Sequence, residues 1–411
     1  MQVKATAHWF RIALADLLIA ALIGAVLRLA FVTELPWLDF RNALHGHSHV
    51  AMLGWGYLAL YVLLIHSFLE PAVVGSVYRR LFWLTQLTVL GMLISFPLAG
   101  YGVVSISFST AHIILAYVFF VRFFRDTRSR PVRRSMSYRF AVTAMVWFVL
   151  SSLALWAMGP LVAFGQQGSS WYYATIQFFL HFQLNGWFIF GVLALFFRWL
   201  ESRRITLSTG HVRIFYALLV ISCLLTYVLA VTWSTPLDIL FWINSLGVVI
   251  QLAALLIFYM LIRPVVGSMR AGTTRVLRAL FGVGILSFVV KIFVQTAVVI
   301  PYIATIAYTI RNYVIGFIHL ILLGLLTHLL IGFANSAGLL RLDHRAAVWG
   351  VGLLVTGFVI TEMLLGVQGT MFWMGVGFIP YYYELLLAAS CLLPVAIMLL
   401  LMRPRRAAPS G

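Results

Sequence analysis

The sequence predicts an all-α polytopic membrane bundle of about twelve transmembrane helices with both termini cytoplasmic, on three observations. Hydrophobic residues fill 63% of the 411 positions and charged residues only 9%, and the mean hydropathy of +1.04 lies far from that of a soluble globular chain. Apolar runs long enough to cross a ~30 Å hydrocarbon core recur along the whole chain. All but four of the 28 Lys and Arg fall on one side of those runs, the exceptions being Arg28, Arg41, Lys291 and Arg311. By the positive-inside rule the basic side is cytoplasmic.

In chain order, span 1 (10–33) follows Lys4 and Arg11, lacks a small-residue cleavage site and is long enough to cross, so it reads as a retained helix rather than a signal peptide. Span 2 (43–69) lies in "RNALHGHSHVAMLGWGYLALYVLLIHSFL", with three histidines at alternate positions and a fourth near its end. Spans 3 (80–99) and 4 (103–124) follow, span 4 carrying His112, and then "RDTRSRPVRRSMSYR" (125–139) gives the strongest cytoplasmic marker. Span 5 (138–161) leads to the aromatic stretch "GSSWYYATIQFF" (168–179) and span 6 (172–199), which carries His181, Gln183 and Asn185. The basic loop "RWLESRRI" precedes spans 7 (212–233) and 8 (237–262), and "RPVVGSMRAGTTRVLR" precedes span 9 (276–300), which holds Lys291 and Gln295. Span 10 (308–332) is headed by Arg311 and Asn312 and contains His319 and His328. Span 11 (346–367) carries Glu362, and "TMFWMGVGFIPYYYE" (370–384) leads into span 12 (383–402).

Loops are short, no soluble domain is inserted, and no internal repeat of the inverted-transporter kind is evident, so residues 1–411 form a single integral domain. The net charge of +18 reflects topology and contact with anionic lipid, not nucleic acid. Cys223 and Cys391 both fall inside spans, which excludes a disulfide framework and a cysteine-based zinc or iron–sulfur site.

The histidines carry the chemistry. Of eleven, His8, His211 and His344 sit in or beside cytoplasmic segments. His112, His181 and His319 each lie about ten residues below the outer end of a span, or ~15 Å deep at the helical rise. His45, His47 and His49 lie slightly shallower, in the first turns of span 2. Four helices thus place imidazoles in one outer layer. A lone intramembrane histidine is ordinarily a packing or proton-relay group, but a shared layer points to ligation, because buried imidazoles need partners and neutral imidazole binds haem iron, copper and zinc. His45 and His49 share a helix face while His47 points about 200° away, so span 2 can serve two sites. His66 and His328 lie towards the cytoplasmic ends and suit structure or proton transfer. His328, nine residues beyond His319, is expected on the opposite face and ~13 Å further in. Arg311 and Lys291 are candidate clamps for haem propionates, Arg311 equally suiting simple snorkelling, and Glu362 is a candidate on a proton path. Asp16 is placed near the inner end of span 1.

Twelve spans with histidines at the outer start of span 2, in span 6 and in span 10 resemble subunit I of the haem–copper oxidases and nitric oxide reductases. The strings "HSHVAMLGWG" and "FIHLILLGLLTHLLIGF" resemble the NnrS family of haem- and copper-containing membrane proteins. The resemblance implies a low-spin haem b held axially by one of His45, His47 or His49 together with a histidine of span 10, His319 being preferred. It implies a copper-ligating histidine at His181. The chain departs from the oxidase pattern in span 7, where the adjacent histidine pair is missing, and at Asn185, where many oxidases carry tyrosine. His112 has no counterpart there and is a candidate replacement ligand, giving a metal set of His47, His49, His112, His181 and His319.

The expected function is that of a haem or haem–copper redox protein of the inner (plasma) membrane, an oxidoreductase-like chain binding or reducing a small gas such as nitric oxide or oxygen. Its electron donor would be quinol, a cytochrome or a partner subunit. The alternative is a histidine-lined transporter of metal ions or protons. Divalent-cation transporters ordinarily add intramembrane carboxylates, and the outer layer offers only Glu362, which favours haem.

Overall fold

The protein is described by a computed structural model covering residues 2–232 and 237–402. Residue 233, the expected end of span 7, and the tail after 402 lie outside the described residues. Among the described residues there is no strand, and twelve helices are long and apolar enough to cross a membrane: Lys4–Leu29, Phe40–Phe68, Ser76–Ala99, Val103–Thr127, Met136–Ala163, Ser170–Ser202, Thr209–Val228, Asp238–Arg270, Arg275–Ala297, Arg311–Ser336, Arg345–Met374 and Tyr382–Leu401. They correspond one to one to spans 1–12, and the chain is an all-α multi-pass membrane bundle. The boundaries differ most where polar residues extend a helix beyond the hydrocarbon, as where span 8 runs on to Arg270. Between spans 9 and 10 a short helix, Pro301–Thr309, starts on a proline whose missing N–H costs nothing at a first helical turn.

Every second helix of four is internal. Spans 2, 6 and 10 are the most buried of the twelve and touch one another, while spans 3 and 4, 7 and 8, and 11 and 12 pair on the outside. Span 12 packs on span 1, span 4 on span 5 and span 8 on span 9, so three four-helix units close into a ring around the three inner helices. Hydrogen bonds tie the inner helices pairwise. Trp55 Nε1 donates to Thr327 Oγ1 at 2.8 Å, Trp199 Nε1 to Ser336 Oγ at 2.8 Å, and Arg198 Nε to the Ser67 carbonyl at 2.9 Å.

A threefold internal repeat, not evident from the chain's apolar pattern, follows from this arrangement. Each inner helix carries a histidine, four residues and a glycine: "HVAMLG" from His49, "HFQLNG" from His181 and "HLILLG" from His319. Immediately after each histidine the backbone winds as a π-helix, over Val50–Gly56, Phe182–Phe188 and Leu320–Thr327. Such i→i+5 turns are rare and concentrate at functional sites. The glycine of each motif meets the first helix of its own unit. A Cβ at Gly54 would approach Asp16 Cβ to 3.1 Å, one at Gly186 would stand 2.6 Å from Trp147 Cβ, and one at Gly324 would stand 2.6 Å from Ser287 Oγ. Small residues at such crossings let backbones approach closely in a membrane.

The same contacts move two expected positions. Asp16 abuts Gly54, midway along span 2, and accepts from Gln86 Nε2 at 2.8 Å, so it is buried in the middle of the bundle rather than near the inner end. His328 does not lie opposite His319. Its ring packs 5.6 Å from that of Phe358, and His319 faces Glu362 one turn further along the same helix, so both histidines point to span 11. The i→i+5 winding of Leu320–Thr327 advances less around the axis per residue than an α-helix does, which brings His328 back to the face of His319.

Candidate functional site

The outer halves of the inner helices are built differently from their inner halves. No residue of Ser170–His181 or of Arg311–His319 is fully buried, whereas every residue of Phe182–Phe188 is. Burial thus rises at the π-helical layer of spans 6 and 10, immediately after His181 and His319.

His47 points to span 1, where its Nδ1 donates to the Ala20 carbonyl at 2.8 Å. A carbonyl only accepts, so Nδ1 carries the proton and Nε2 keeps a lone pair. This is the arrangement that orients a metal-ligating imidazole. Gly24 makes room for the ring, since a Cβ there would stand 3.0 Å from His47 Cε1. His319 enters from span 10 and interacts electrostatically with His47 and with Arg28 of span 1. Its Nδ1 has no hydrogen-bond partner and stands 4.0 Å from Glu362 Oε1, and the two side chains keep 25% and 20% of their surface accessible. Gly316, one turn before His319, leaves space for that carboxylate, whose Oε2 would lie 3.5 Å from a Cβ. Arg28 also lies in the field of Glu362, Arg311 and Tyr382, and Asn312 Nδ2 donates to the Tyr382 hydroxyl at 2.8 Å. Two imidazoles, a carboxylate and two guanidinium groups therefore share one electrostatic neighbourhood where the first and third units join.

The other histidines form separate groups. His45 and His49 face span 3, opposite to His47, as the helical rotation predicts. His49 Nδ1 donates to the His45 carbonyl at 2.8 Å and its ring lies 4.1 Å from Phe96, while the His45 ring meets Tyr101 at 4.7 Å. His112 is fully buried in span 4, with Nε2 donating to the Leu53 carbonyl at 3.3 Å, its ring edge-on to Tyr57 at 4.7 Å and Nδ1 unpartnered. The π-helical turn over Val50–Gly56 takes the Leu53 carbonyl out of the ordinary α-helical register. His181 has both ring nitrogens engaged, Nε2 donating to the Cys223 carbonyl at 2.8 Å and Nδ1 accepting from Asn185 at 3.4 Å. Lys291, only 1% exposed, stands in the field of His181 and Cys223.

The structure thus couples His47 to His319 and His49 to His112 electrostatically, and keeps His181 apart with Lys291. His112 and His181, expected near a shared second metal, bond to different elements. Among the described residues no three His, Cys, Asp or Glu side chains group closely enough to hold a metal ion. His47 and His319 each keep a ring nitrogen without a hydrogen bond among the described residues and could serve as haem ligands, while the described residues assemble no three-ligand set for copper. Arg28 and the Ala20 carbonyl escaped the sequence reading. The first looked like a boundary charge, and no side chain signals a carbonyl acceptor. No protein-family model matches the chain, and no curated protein matches it.

Proposed function

We propose that the chain is a haem-binding membrane redox protein in which His47 of span 2 and His319 of span 10 would hold a b-type haem. The observation that carries this reading is that His47 and His319, from different inner helices, lie in one electrostatic neighbourhood with Arg28 between the first and third units. His47 is oriented by Ala20, and His319 has no hydrogen bond among the described residues, its buried Nδ1 standing unpartnered. Haem bound there would supply one-electron chemistry and the means to bind or reduce a small gas such as nitric oxide or oxygen. The chain's own residues would orient the ligands and provide positive charge for propionates at Arg28 and Arg311. Glu362 would accept a hydrogen bond from the Nδ1–H of His319. The resemblance to haem–copper oxidase subunit I and the NnrS family supports the same assignment. Copper forms no part of it, because the donor set is not assembled. Quinol, a cytochrome or a partner subunit would supply electrons, and the inner membrane would be its place.

The test is a reduced-minus-oxidised visible spectrum of the detergent-purified protein together with metal analysis. Low-spin haem b bands are expected in the wild type and in His66→Ala, and their loss or conversion to high spin in His47→Ala and in His319→Ala. A wild-type spectrum in His319→Ala would move the ligand to His328 and defeat the assignment.

A second reading, a proton or metal-ion transporter, draws on Asp16, which lies mid-bundle with Oδ1 bonded to Gln86 and Oδ2 unpartnered. A protein free of iron that carries protons or metal ions into liposomes, and loses that flux in Asp16→Asn, would favour it.

A further inference from the structure

At the basic end of the bundle, the connection after span 6 and the end of span 8 border an open surface pocket of about 620 Å³ lined by Arg203, Arg204, Thr206, Val265 and Ser268 among others. That is roughly twenty times the ~30 Å³ one water occupies in the liquid. Two arginines stand in its wall, and one of them is held in place. The Arg203 guanidinium lies over the Trp199 ring, 4.9 Å from its centroid, and donates to the Ala271 and Gly272 carbonyls at 3.0 and 3.4 Å. Arg204 is exposed and held with φ at +58°, a left-handed conformation that a side-chain-bearing residue adopts only at a cost. Neither arginine has a carboxylate partner among the described residues. Glu201, the nearest acid in sequence, is turned away to Ser137 Oγ at 2.7 Å and Arg198 Nη1 at 3.4 Å. Thr206 and Ser268 line the pocket at exposed positions, with no hydrogen-bond partner among the described residues.

We propose that this pocket binds the phosphate headgroup of an anionic phospholipid. Two guanidinium groups without a carboxylate partner, one of them held by two carbonyls, and two hydroxyls on the same wall are the complement of a phosphodiester. The volume exceeds what a bare phosphate fills and suits a headgroup with its glycerol. The place is also that of a lipid. Below it on span 8, Leu256, Tyr259 and Met260 are 65%, 58% and 54% exposed on the bundle's outer surface, a path for acyl chains ending near Arg263. Basic pockets between spans at this level are recognition sites for acidic headgroups.

Native mass spectrometry of the full-length protein in detergent, titrated with phosphatidylglycerol, cardiolipin, phosphatidylcholine or inorganic phosphate, tests the proposal. The wild type is expected to retain phosphatidylglycerol or cardiolipin selectively. Arg204→Gln and Ser268→Ala are each expected to weaken retention, Arg204→Gln by about tenfold or more, as for loss of a charged hydrogen bond. Arg79→Gln, a basic residue elsewhere, should bind as wild type. Lipid-free unfolding temperatures check that the variants fold, and Ser268→Ala, at an exposed position, provides the arm least open to misfolding. Equal retention by both pocket variants, equal retention of phosphatidylcholine, or displacement of the lipid by millimolar inorganic phosphate would each overturn the assignment.

Discussion

Replacing Gly186 by alanine tests whether the π-helical layer is set by close contact with the first helix of each unit. The added Cβ would stand 2.6 Å from Trp147 Cβ and 2.7 Å from Trp147 Cγ. Carbon atoms rest at about 3.5–4.0 Å, so the two must separate by roughly 1 Å. Trp147 Cβ is fixed to its backbone and the ring is stacked on Phe182 at 5.3 Å, so no rotamer change relieves the overlap and spans 5 and 6 must move apart. Overpacking of this kind costs about 1–3 kcal/mol, and the upper part of that range applies here. Gly54→Ala should cost less, because its contacts of 3.0–3.3 Å need only a few tenths of an ångström. Gly366→Ala, with nothing within 4 Å, should be neutral within about 0.5 kcal/mol. Thermal unfolding in one detergent at matched protein concentration gives the order Gly186→Ala, then Gly54→Ala, then Gly366→Ala. Equal midpoints for Gly186→Ala and Gly366→Ala would refute the claim that this crossing is tight.

Three further outcomes are expected. Trp55→Phe removes the 2.8 Å bond that joins spans 2 and 10 while Thr327 Oγ1 keeps its own bond to Leu322, so it should cost about 1 kcal/mol in the same unfolding measurement, and an unchanged midpoint would show the bond to be idle. If haem sits on His319, Glu362→Gln should raise its reduction potential, because a carboxylate beside Nδ1 makes the ligand more basic; a potentiometric titration showing no rise would detach Glu362 from the site. In a variant lacking Cys223 and Cys391, an impermeant thiol reagent applied to the outside should label a cysteine placed in 162–170 and fail at 125–135, and the reverse pattern would invert the orientation.

The sequence is most informative where one physical rule dominates. Hydropathy alone yields all twelve spans, because a helix in lipid must be apolar over a fixed length whatever it packs against. The division of span 2 into two histidine faces is equally legible, since Phe40–His49 is a regular α-helix and rotation per residue can be counted. Counting fails as soon as the winding changes. Nothing in "LILLGLLT" announces an i→i+5 turn, so α-helical counting turns His328 to the wrong side of span 10, and residue number alone sets Asp16 too far inward.

The shared layer of histidines was also legible, but its partition into three groups was not, because that depends on which neighbour each ring meets. The threefold repeat supplies the missing rule. His49, His181 and His319 occupy equivalent places, each one residue before a π-helical turn and five before a glycine, yet only His319 lacks a hydrogen bond to the protein. Equivalent backbone geometry with unequal satisfaction of the side chain means that the difference lies in the surrounding helices. Carbonyls of His45 and Cys223 take up the first two rings, while span 11 offers the third an acid at 4.0 Å. A buried imidazole left without a partner costs free energy unless a ligand completes it. That cost singles out the third position, and His47 as the ring beside it, from a sequence in which all three motifs look alike.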